Sequence, residues 1–116
     1  LPDVPYKYST EELDKMSTEK VKYLTVVESL LDQFKAEMLA KLKLRAERHP
    51  NDNILSCSVE DLMNYDLQPI IEHFNLEIEE LYTARGFLGP KEIRKECVDV
   101  ANMSFIEWMI RKIQEK

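Results

Sequence analysis

Both glycines of this chain fall inside one five-residue stretch, Gly86-Phe-Leu-Gly-Pro90. Elsewhere the sequence has no glycine, and so little material for the tightest turns. A many-stranded β fold needs such residues at short intervals, whereas a helical chain with few reversals does not. The expectation is an all-α fold whose main reversal is centred near Leu88. At 116 residues the chain can bury one core but is too short for two ordinary ones.

The apolar pattern agrees. Val21, Leu24, Val27, Leu31, Phe34, Met38, Leu42 and Ala46 recur at steps of three and four, one stripe on a long helix. Ser17 or Thr18 can cap its start, and Pro50 disfavours helical geometry at His49, so the helix ends near Arg48. Residues 49–57 read as a loop. Ser58 with Asp61 three residues on is a capping pattern for a short helix through Tyr65. Pro69 suits the first turn of the next helix, with Asp66 as its candidate cap. That helix is predicted to run to about Arg85, with Gly86 in the left-handed position that follows a helix end. Pro90 opens a last helix carrying Ile93, Val98, Ala101, Phe105, Ile106, Met109, Ile110 and Ile113. Residues 1–8 read as an extended arm with Tyr6 and Tyr8, and Ser9-Thr-Glu-Glu12 can start a short helical turn. No strand, internal repeat or low-complexity tract is visible.

Around the glycine-rich reversal lie two acidic pairs. Glu77 and Glu80 stand on one side, Glu96 and Asp99 on the other, each pair spaced so that its members share one helix face. The midpoint of 77 and 99 is 88, and so is that of 80 and 96. A helical hairpin about Leu88 would bring the four carboxylates together at two matched levels. A single Glu-x-x-Glu is most simply a solvated face. Here, however, the neighbours are apolar: Ile78, Leu81 and Ala84 on one side, Cys97, Val98, Val100 and Ala101 on the other. Charge in such a setting is costly without a partner. Four oxygen-donor side chains suit Mg²⁺ or Mn²⁺ better than zinc or copper. Carboxylate-bridged di-iron bundles carry Glu-x-x-His pairs, and neither position three residues on is His; this weakens the redox alternative without removing it.

Other features bound the function. A net charge of −6 argues against nucleic-acid binding. Cys57 and Cys97 have no zinc-type spacing and fit a reducing, cytoplasmic compartment, with Cys97 read as a small core residue. No apolar run is long enough to span a bilayer and no signal peptide is visible, although the sequence opens on Leu1 and a preceding segment is allowed for. Asn102 lies three residues past Asp99 on the same face, able either to touch a ligand or to cap the edge of the acidic site. Lys41, Lys43, Arg45 and Arg48 form a basic run, either a solvated face or a phosphate clamp. Lys95, with Lys91 and Arg94, opens the last helix and is a further ligand-facing candidate. His73 precedes Glu77 by one turn and is read as its hydrogen-bond partner rather than a ligand. Trp108, with Phe105 and Met109, is read as core or interface packing.

The run Glu77-Ile-Glu-Glu80-Leu81 with Ala84, followed by Glu96-Cys-Val-Asp99-Val, resembles the paired motifs of the MazG-like nucleoside triphosphate pyrophosphohydrolases, small phage-like members in particular. Phe34, Met38, Lys41 and Leu42 are similar to the family's first-helix pattern, and the likeness runs over roughly residues 30–112. The resemblance implies that Glu77, Glu80, Glu96 and Asp99 coordinate Mg²⁺, and that Lys41 lies near phosphate. It implies hydrolysis of a nucleoside or deoxynucleoside triphosphate to the monophosphate and pyrophosphate, in a homodimer or homotetramer. Sequence does not separate metal ligand from general base, for which Glu77 and Glu80 are the candidates. One departure stands out: residues 47–57 lack the Lys and Trp that many members carry between their first two helices.

The expectation is thus an arm and short turn over 1–17 and one α-helical MazG-like domain over 18–116. Its function would be Mg²⁺-dependent nucleotide hydrolysis in the cytoplasm, or in a host's cytoplasm if the chain is viral. The alternatives are a non-catalytic helical interaction module with an acidic partner-binding face, or a carboxylate-bridged di-metal protein.

Overall fold

The computed structural model describes residues 18–51 and 53–115, with side chains from Lys22 onward. Among these residues the chain is all-α and contains no strand. Helix α1 spans Thr18–Arg48, α2 Val59–Met63, α3 Gln68–Phe87 and α4 Pro90–Gln114, with a 3-10 turn at Ile54–Ser56 between α1 and α2. The arm expected over 1–17, with Tyr6, Tyr8 and the Ser9–Glu12 pattern, lies outside the described residues. No described helix is long and apolar enough to cross a membrane.

The chain divides into two compact units, residues 1–35 and 36–116. In the first, Leu24 and Phe34 of the expected stripe are half-buried, but Val27 and Leu31 are exposed, as are Tyr23, Val26 and Leu30. Helical spacing alone does not bury a stripe; it needs a partner surface.

The second unit holds the core. Leu62, Ile70, Met103, Ile106 and Ile110 form one buried cluster, with Leu42, Ile54, Tyr65 and Phe74 packed around it. Each fully buried side chain of this kind contributes about 1.5–3 kcal/mol. Short α2 is fixed at both ends. Ser58 and Asp61 make the expected reciprocal capping box, with Asp61 N–H donating to Ser58 Oγ at 3.1 Å. At the other end Gln114 Nε2 donates to the carbonyls of Leu62 (3.0 Å) and Tyr65 (2.9 Å), which ties the end of α2 to the last turn of α4.

Helices α3 and α4 pack as a hairpin, with Leu81, Ala84 and Val98 buried. Pro69 and Pro90 sit in the first turns of their helices, as expected. Asp66 Oδ1 accepts from Gln68 N–H at 3.0 Å, so it meets one orphan amide of α3. The end of α3 differs from the sequence expectation. Gly86 lies within the helix, which continues to Phe87, and neither glycine has a positive φ. The reversal is made by extended Leu88 (ψ 167°) and Gly89 (ψ 173°). Pro90 dictates this, because the residue before a proline is driven out of the helical region. For Trp108 the structure removes one of the two expected roles, the core. The residue is 62% exposed, stacked on Phe105 with ring centroids 6.1 Å apart, and so is not core. Cys97 is half-buried rather than a fully enclosed core residue.

Candidate metal centre

The hairpin brings three of the four expected acids together, and Glu80 is the exception. Glu77, Glu96 and Asp99 each offer a ligand atom, and these three atoms lie within 4.8 Å of one another. All three residues are partly buried, the Glu77 side chain down to 16% exposure. Glu80 is exposed and stands outside this tight group, yet it lies close enough to Glu77 and Glu96 to perturb both. Burial pushes the Glu77 carboxyl above the ordinary carboxylate value; the charges of Glu80 and Asp99 push it further, against a hydrogen bond from His73. Burial likewise raises Glu96, helped by Asp99 and Glu80 and opposed by Lys41.

Hydrogen bonding explains why these shifts persist. Oε2 of Glu77 and Oε2 of Glu96 are buried and have no donor among the described residues. Such an oxygen lacks compensation for its lost hydration. A cation supplies it, and an all-oxygen donor set suits a hard divalent ion. The residues therefore fit Mg²⁺ or Mn²⁺. His73 is no part of that set. As the sequence suggested, its Nε2 bonds Glu77 Oε1, at 3.1 Å, and so orients that carboxylate.

A cation of the chain already faces the cluster. Lys41 Nζ, on α1, pairs with Asp99 Oδ1 at 2.5 Å and reaches the carbonyl of Lys95 at 3.5 Å. Lys95 enters the site through that carbonyl. Its side chain lines a separate cleft of about 280 Å³ with Lys91 and Arg94, which Lys41 also borders. Asn102 is 7% exposed. Its Nδ2 donates to the Met38 carbonyl at 3.2 Å, and its Oδ1 has no partner among the described residues.

Lys41, Glu77, Asp99 and Asn102 open onto one cavity of about 550 Å³. Arg45 and Arg48 line it along α1, being spaced to share a face with Lys41. Its apolar wall includes Ile54, Ile70, Met103 and Ile106. Carboxylates, cations and apolar wall converging on one concave space are the makings of a site for a metal-bound anion with an apolar portion. Sequence reasoning missed Asn53 and Tyr65, which also line this cavity. No local signal marked them, since both lie in polar, breaker-rich connections.

No protein-family model matches the chain, and neither a curated protein nor a solved structure matches it significantly.

Proposed function

We propose that this chain is a Mg²⁺-dependent nucleoside triphosphate pyrophosphohydrolase of the MazG-like kind. The reading rests on one observation above all: three carboxylates with ligand atoms within 4.8 Å of one another, two of which, Glu77 and Asp99, line a cavity that Lys41, Arg45 and Arg48 also line. An acidic partner-binding face needs no such cavity, and a di-iron centre would call for histidine ligands that the cluster lacks.

In this reading Glu77, Glu96 and Asp99 hold the metal, which when bound offsets phosphate charge and makes water a better nucleophile. Water attacks the α-phosphorus, the bond from that phosphorus to the bridging oxygen breaks, and pyrophosphate leaves with the electron pair. Glu80, outside the tight group and adjacent to it, accepts the proton that the water loses. Lys41, Arg45 and Arg48 steady the phosphates as point charges and forks. Lys95 serves through its carbonyl, which holds Lys41, and Asn102 Oδ1 meets a donor of the nucleotide. The exposed apolar side chains of residues 23–31 support assembly with a second copy, as a homodimer or homotetramer. The expected setting is cytoplasmic, with neither nucleic acid nor membrane as partner.

A panel of ribo- and deoxynucleoside triphosphates with Mg²⁺ tests this, with pyrophosphate and orthophosphate measured separately. Pyrophosphate is expected from at least one nucleotide. Asp99→Asn should cut the rate at least a hundredfold, the scale on which loss of a charge-organising group acts. Release of orthophosphate alone, or no turnover of any nucleotide, would sink the proposal.

A further inference from the structure

Asn53 follows α1 and begins the 3-10 turn Ile54–Ser56. Its Oδ1 accepts from Leu55 N–H at 2.9 Å, which fixes the orientation of its amide. The residue is 5% exposed. Its Nδ2 is buried without an acceptor among the described residues, and the residue lines the cavity. A buried donor left unpaired in this way loses its hydration without compensation. It is an odd thing to build into a cavity wall unless a ligand acceptor meets it.

Its place in the cavity says which part of a ligand that is. Glu77 and Asp99 mark the metal end. Ile70 lies seven residues before Glu77 on α3, and Ile106 seven residues after Asp99 on α4. At the helical rise each is roughly 10 Å from its acid. Because the helices are antiparallel, Ile70 and Ile106 sit together at the opposite end, in the core cluster against which Ile54 packs. Asn53, next to Ile54, therefore belongs to the apolar end. Under the nucleotide reading, on which this inference rests, attack at the α-phosphorus puts the nucleoside at that end.

We propose that the apolar end receives the nucleobase and that Asn53 selects bases presenting a carbonyl over bases presenting an amino group. Uracil, thymine and guanine carry an acceptor oxygen where cytosine and adenine carry an amino donor. The fixed Nδ2 donor satisfies the first set. Against the second, donor would face donor and both would be left unpaired, the kind of mismatch on which binding sites discriminate most sharply.

Steady-state hydrolysis of UTP, GTP, CTP and ATP with Mg²⁺ tests the assignment in wild type, Asn53→Asp and Asn53→Ser. Both substitutions keep a side-chain oxygen for Leu55 N–H and remove the amide donor. Wild type is expected to use UTP over CTP, and GTP over ATP, by about tenfold or more in kcat/KM, expressed chiefly in KM. Asn53→Asp should reverse that preference and Asn53→Ser should abolish it. Hydrolysis of all four at similar kcat/KM, or a carbonyl preference unchanged in both variants, would overturn the role of Asn53 while leaving the hydrolase reading intact. Failure to hydrolyse any of them or their deoxy counterparts would overturn both.

Discussion

Lys41 is the residue on which the charge balance turns. It pairs with Asp99 at 2.5 Å, so its ammonium offsets part of the cluster's charge. Under the proposed function a divalent ion and this ammonium compete for the same oxygens. A pair at such a distance is worth a few kcal/mol near a protein surface, discounted here because the Lys41 side chain is 40% exposed. Lys41→Met is accordingly expected to tighten Mg²⁺ binding about fivefold in a calorimetric titration, while raising KM for the nucleotide. Unchanged or weaker Mg²⁺ binding would mean that the ammonium does not compete with the metal. Glu77, Glu96, Asp99 and the His73 bond were legible in the sequence because helical spacing and the midpoint of the reversal suffice to place them. Asn53 was not. Its burial comes from the 3-10 turn closing onto the core, a tertiary event that no local pattern announces.

At the scale of elements, the helices were legible from apolar period and caps, and the short α2 from its capping box. The end of α3 was misread because Gly86 is a familiar helix terminator, whereas here the stop is imposed by Pro90 acting back through Gly89. A test follows from the geometry. Gly86 is helical, and a Cβ added there meets nothing within 4 Å. Gly86→Ala should therefore stabilise the protein by about 0.5–1 kcal/mol, read as a shift of the denaturant midpoint. A loss of stability would place Gly86 in the left-handed turn that the sequence first suggested. The stripe on α1 teaches the complementary lesson. Its period correctly marks a helix, but its first stretch leaves Val27 and Leu31 exposed, since period cannot say whether a covering surface exists.

For the whole molecule, the proposed metal centre implies that the acidic cluster trades stability for binding. Burial, Asp99 and Glu80 hold the Glu96 pKa above its ordinary value. The folded state therefore takes up a proton there at a higher pH than the unfolded chain does. This group's contribution is fully present below the unfolded pKa and is lost as pH rises through the folded one. Without metal, wild type should lose stability relative to Glu96→Gln as pH rises above the ordinary carboxylate range. Mg²⁺ should reverse the order, since a ligand that binds only the folded state adds about 2.7 kcal/mol at a hundred times its Kd. The most direct test is the melting temperature at pH 7 of wild type and Glu96→Gln, each with and without Mg²⁺. The account expects the variant to be the more stable without Mg²⁺, and expects Mg²⁺ to raise wild type by roughly 10 °C while leaving the variant almost unmoved. Equal shifts in both proteins, or none in either, would contradict a metal centre at these carboxylates.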